Sequence, residues 1–195
     1  MFAVRQLALR PAASRCFGAA APTTYSRAVS LMHWLTVPAL TGSVACVLWA
    51  QQVKGAEKGK WMFRHKSLGL LTGMVVAPRV AIKLASKAPE ALKQSGAVEA
   101  LAAKASHLAL YGFMLVMPVS GIAMGYFGGK GLPFFFTTFP GAETPNGAVA
   151  KQSFSIHKTL GTYGKFLIPV HMGAAGLHTA RGHGIFSRIN PLSPK

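Results

Sequence analysis

The sequence predicts an all-α membrane protein, a bundle of four transmembrane helices. Three observations carry this. Of 195 residues, 51% are hydrophobic and only 13% charged, about half the charged share of a soluble domain. Four segments, Leu31 to Ala50, Phe63 to Leu84, Ser106 to Phe127 and Phe154 to Ala180, reach the roughly 20 residues needed to cross a hydrocarbon core of about 30 Å. Four histidines, His33, His65, His157 and His171, lie inside or at the mouths of those segments, where an ionisable side chain is costly unless something uses it.

The first 24 residues differ from the rest of the chain. They carry Arg5, Arg10 and Arg15 and no acid, the first acidic residue being Glu57, and Pro11 interrupts any apolar run. This composition suits a mitochondrial presequence and not a secretory signal; a disordered basic tail is the plain alternative. The division is therefore residues 1–24 as a presequence-like segment, 25–180 as the membrane domain and 181–195 as a basic tail. Cys16 and Cys46 are too few for a disulfide framework, Cys46 reading as a small buried apolar residue. No Cys-x-x-Cys-His occurs, so covalent haem attachment is unsupported.

A net charge of +17 invites a nucleic-acid reading, but the basic residues sit in the leader, loops and helix ends, not along one soluble face. At span ends Lys and Arg anchor and orient. With an even number of crossings both termini share one side, here side A. Once Arg5, Arg10 and Arg15 are set aside, the two sides carry equal numbers of basic residues. The charge rule leaves only a slight preference for termini in the matrix.

Depth decides which histidines share a level. The first span opens at side A with His33; the second returns from side B and opens with His65. The fourth starts at B with His157 and reaches His171 fourteen residues on, about 21 Å along a helix and within roughly 40° of the same face. His65 and His157 share level B, and His33 and His171 share level A. Any one such histidine is as readily explained by a hydrogen bond to a neighbouring backbone. Four at two matched depths, with no carboxylate among them in the spans, make two bis-histidine iron sites for b haems stacked across the membrane and leave a di-iron or zinc hydrolase site poorly supported.

The other polar residues are weighed the same way. His107 opens the third span at level A, and His178 follows His171 by two helical turns; either is a rival ligand or a propionate or quinone contact, His107 being also a plain helix-end residue. His183, in the tail, faces solvent. Arg79, fourteen residues after His65, returns to the His65 face at level A with Lys83 one turn beyond. Its fork of donors suits a haem propionate, unless it snorkels to the interface. Lys165, well inside the fourth span, meets a partner subunit, a lipid or a propionate.

Pro38, Pro78, Pro118 and Pro169 place one proline in each span, where it is tolerated and bends the helix. Gly69, Gly73, Gly121, Gly161, Gly164 and Gly173 permit close approach of backbone or haem, or simply pack helices. The loop from Gly128 to Ser153 contains Leu132-Pro133-Phe134-Phe135-Phe136 and Phe139-Pro140 and reads as an interfacial stretch beside level B, with room for a quinone or a partner.

Several of these residues fall in a familiar order: Tyr25-Ser26-Arg27 with His33-Trp34 downstream, His65 with Gly69, Arg79, His107-Leu108 with Tyr111, Pro118 to Gly121, Ile156-His157, and Val170-His171 with His178. On these stretches the chain resembles the prokaryotic-type cytochrome b-561 family, itself similar to the di-haem cytochrome b subunits of nickel-iron hydrogenases and formate dehydrogenases. The resemblance runs from about Tyr25 to His178. It implies a four-helix bundle with two b haems on His33, His65, His157 and His171, and electron transfer to or from quinone, with superoxide a candidate donor.

Two departures stand out: the presequence-like start, and Lys165 where an apolar or aromatic residue is expected. Both fit attachment to a mitochondrial respiratory assembly. The expectation is a di-haem electron carrier of the mitochondrial inner membrane serving the ubiquinone pool, among membrane lipid, with subunits of a respiratory complex or supercomplex, or a second copy, as partners and no nucleic acid. The alternative is a non-catalytic accessory or assembly subunit of a respiratory-chain complex that keeps the fold.

Overall fold

Ser26 begins the first helix by accepting the Val29 N–H at its hydroxyl, 3.3 Å away, which satisfies one of the donors a helix start leaves open. From there the computed structural model describes residues 23–86, 89 and 96–192; residues 1–22, with nearly all of the presequence-like segment, lie outside them. Helix α1 spans Arg27–Ala50, α2 Gly55–Ala85 and α3 Ala97–Phe127. Each is long and apolar enough to cross a membrane. Pro38, Pro78 and Pro118 lie inside α1, α2 and α3 without ending them.

The α1–α2 connection is so short that the two helices must lie antiparallel as neighbours. Helix α2 then packs on α3. The core they share is small: Val76, Leu110, Phe113 and Met114 are buried, with Leu40, Val80, Tyr111, Met117, Leu167 and Ile168 packed around them. By contrast Leu84, Leu108, Val119 and Met74 stand largely uncovered by protein. An apolar exterior of that extent is a lipid-facing one.

The fourth expected span is not one helix. Helix α4 runs Gly147–Gly164 and α5 runs Leu167–Ala180, with a break at Lys165 and Phe166. Pro169 is the physical reason: it has no N–H for the Lys165 carbonyl, and its ring crowds that carbonyl. The chain compensates with a tighter bond, Ile168 N–H to Lys165 O at 3.3 Å, before the α-helical pattern resumes at Val170 N–H to Phe166 O. Expected as a bend, Pro169 instead divides the segment, so His157 and His171 do not ride on one continuous helix.

The loop after α3 is also more ordered than expected. Strands β1 (Leu132–Phe134) and β2 (Thr137–Phe139) form an antiparallel hairpin with Phe134 opposite Thr137. Phe135 at the turn has φ 48°, strained for a bulky residue. The turn is held because the Phe135 N–H donates to Ser67 Oγ at 3.0 Å, and Ser67 is wholly buried on α2. The hairpin is thus fixed beside level B, two residues from His65.

The tail folds back as well. Helix α6 (Ile185–Arg188) returns to the beginning of α1, where Tyr25 N–H donates to Arg188 O and Trp34 Nε1–H to Ile189 O, both at 3.0 Å. Both ends of the described chain therefore lie at one end of the bundle.

Candidate functional site

Level B joins four helices at two rings. His65 on α2 and His157 on α4 face each other with ring centroids 6.1 Å apart. Each Nδ1 is fixed by a neighbouring helix. His65 Nδ1–H donates to the Ser43 carbonyl on α1 at 2.9 Å, with Ser43 Oγ at 3.0 Å. His157 Nδ1–H donates to the Met117 carbonyl on α3 at 3.0 Å, with Ser120 Oγ at 3.1 Å. A carbonyl only accepts, so both imidazoles carry their proton on Nδ1 and keep the Nε2 lone pair for a metal. Partners of this kind orient metal-binding histidines.

The hydroxyls do double duty. Ser43 Oγ donates to the His65 carbonyl at 3.1 Å, and Ser120 Oγ donates to the Val116 carbonyl at 2.7 Å; both serines are buried. Gly121 lets the His157 ring reach α3, since a Cβ there would meet the ring carbon Cε1 at 3.3 Å. At Gly164 a Cβ would collide with the Phe113 ring, so α4 and α3 close together at that point too. Gly173 meets nothing within 4 Å, and close approach does not explain it.

Level A is built differently. His33 on α1 and His171 on α5 lie with centroids 6.4 Å apart, and His107 on α3 is nearer still to His171, at 5.3 Å. His107 Nδ1–H donates back to the Ala103 carbonyl at 2.7 Å. Arg79 is buried and donates from Nη2 to His33 Nδ1 at 2.9 Å. That leaves the His33 proton on Nε2, the reverse of level B. Arg79 lies over the Tyr111 ring at 5.6 Å, and Lys83 lies over Tyr111 at 5.6 Å and Tyr25 at 5.0 Å. Arg79 and Lys83 are thus both at level A.

One expectation needs correction. His178 Nδ1 lies 2.9 Å from His183 Nδ1. His183 is accordingly half-buried and not solvent-facing, because the tail folds back. Lys165 sits at the break with Nζ over the Phe166 ring at 5.2 Å.

The donor set selects the kind of metal group. Among the described residues no three His, Cys, Asp or Glu side chains converge as a site for a bare ion. Imidazoles facing in twos suit an iron whose other positions a macrocycle fills. Two imidazole-to-metal bonds with their rings span about 6 Å between centroids, which the 6.1 and 6.4 Å pairs match and the 5.3 Å contact of His107 does not. Among the described residues the Arg79 Nε has no hydrogen-bond partner, and the four acids of the chain, Glu57, Glu90, Glu99 and Glu143, all fall outside the apolar segments. A buried guanidinium without a carboxylate of its own fits a group that brings carboxylates.

These features define a class: a multi-pass membrane protein with imidazole pairs held between its helices. The sequence profile of prokaryotic cytochrome b561 matches residues 24–191, and the chain belongs to that family. It is similar to cytochrome b561 homolog 1 of Escherichia coli (strain K12), 28% identical over 160 residues, covering 79% of this chain and 89% of that protein. Cytochrome b561 homolog 2 of the same organism is 29% identical over 141 residues, covering 70% and 74%. Membership makes the chain a membrane haem-b protein of the electron-transfer class.

Proposed function

We propose that the chain is a di-haem b carrier passing single electrons between a redox partner and the ubiquinone pool of the mitochondrial inner membrane. The observation that carries this is the two imidazole pairs, His65 with His157 and His33 with His171, each drawn from two helices at a spacing suited to a metal between them. Bound there, haem iron supplies reversible one-electron chemistry. The protein supplies everything else.

At level B the Ser43 and Met117 carbonyls hold the ligating tautomer. At level A, Arg79 and Lys83 would hold the carboxylates of a bound haem, and an Arg79 so engaged would leave the Nδ1 of His33 free to carry the ring proton. His107 and His178 are the remaining propionate or quinone contacts, and α4 with α5 completes a fourth crossing. The basic, acid-free leader supports import into mitochondria, with both termini on the matrix side. Superoxide or a respiratory complex is the redox partner. A second reading, an accessory subunit of a respiratory complex or supercomplex, is favoured by one residue, Lys165, a charge in the middle of the broken segment.

The test is haem-to-protein stoichiometry by pyridine haemochrome on protein purified gently from its native membrane, with a reduced minus oxidised spectrum. Two b haems per chain, reduced by ubiquinol, support the carrier. None overturns it in favour of the accessory subunit.

A further inference from the structure

The outer face of α4 carries a pattern that electron transfer leaves unused. Lys151, Lys158 and Lys165 recur every seven residues, with Ser155, Thr159 and Thr162 between them. Seven residues are two turns, about 10.5 Å of rise, and bring the side chain back to within about 20°. The three lysines therefore form one polar seam about 21 Å long, and Lys165 continues it because its backbone keeps helical dihedrals. Successive helix residues are about 100° apart, so Lys158 points well away from the face that His157 presents to His65. Helix α4 packs on α3 by its Gly161 and Gly164 side. The seam itself is uncovered except at Lys165, which is half-buried. Phe154 and Tyr163, 51% and 73% exposed, border a groove of about 480 Å³ along it.

Such a face is expensive against lipid, so its occupant can be argued from charge. A second copy of this chain would set lysine against lysine, because its own four glutamates lie outside the apolar segments. A lipid headgroup reaches Lys151, and Lys158 by snorkelling. It does not reach Lys165, which lies seven residues, about 10.5 Å of helix, beyond Lys158 and whose Nζ sits over the Phe166 ring. A membrane helix bearing carboxylates satisfies the whole length.

We infer that the Lys151, Lys158 and Lys165 face of α4 is the docking seam for a transmembrane helix of a different protein, one that carries Asp or Glu about two turns apart. This rests on α4 and α5 crossing the membrane, and it names the surface by which the chain joins a larger assembly whether or not both haems are held.

The experiment places the photo-cross-linker p-benzoylphenylalanine at Thr159 of the full chain in its native membrane, with Val119 on α3 as a lipid-facing control. The expected adduct is with another polypeptide, through an apolar segment containing Asp or Glu. It falls about tenfold in the double variant Lys158→Gln, Lys165→Gln, on the scale of interhelical polar contacts, and persists in Lys158→Arg. Circular dichroism in detergent confirms that each variant is folded. An adduct with a second copy, with lipid only, or indifferent to the glutamine variant overturns the seam. Acylation of Lys165 by a membrane-impermeant reagent instead overturns the fourth crossing, which separates the two failures.

Discussion

Level B and level A hold the same pair of residue types and prepare them in opposite ways. At level B both rings are locked by backbone carbonyls of helices α1 and α3, groups that cannot turn away, and the serine hydroxyls beside them are buried. At level A the contact to His33 comes from a side chain, Arg79, and a third imidazole crowds His171. One level is set by backbone groups and the other by side chains. A backbone partner is fixed by its helix, whereas a side-chain partner keeps rotamers of its own.

The sharpest break of this comparison is removal of a ligand. His157→Ala should abolish the level B haem and leave level A largely intact, taking the haemochrome ratio from two to one per chain; equal loss at both levels would sink the pairing. Next, His33→Ala should remove the level A haem while His107→Ala retains it, read from the same ratio. The opposite result would make His107 the partner of His171.

Arg79→Gln removes a buried positive charge at level A only. Its midpoint potential should fall on the order of 60 mV, one tenfold step for a one-electron couple, with the level B potential unmoved in a redox titration. The smallest effect belongs to Ser43→Ala and Ser120→Ala. The carbonyls remain, so each ring loses only its contact to the hydroxyl, about 1 kcal/mol, and haem release from level B should quicken less than tenfold.

Much of this was legible in the sequence because depth is a matter of counting. His33 and His65 open their segments and His157 and His171 stand fourteen residues apart, so topology alone brings them together in the pairs observed. Arg79 was placed at level A by the same arithmetic. What escaped depends on contacts between distant segments. Ser43 and Ser120 look like ordinary small residues until a histidine of another helix is laid against them; the one available sign was Gly121 beside Ser120, a gap in the α3 surface. The hairpin was hidden because Leu132 to Phe139 reads as apolar interfacial sequence, and its turn carries a phenylalanine where glycine is usual, held by Ser67 far upstream. The half-buried His183 follows from the tail folding back on Tyr25. Pro169 was visible, and only its strength was underestimated.

That proline gives the molecule a joint. His157 stands on one rigid rod and His171 on another, with Lys165 and Phe166 as the link between them. A single straight helix would transmit any tilt at one end to the other. A jointed one uncouples the two ends: α4 follows the α3 carbonyl that holds His157, and α5 sets the station of His171 through its own packing on α3.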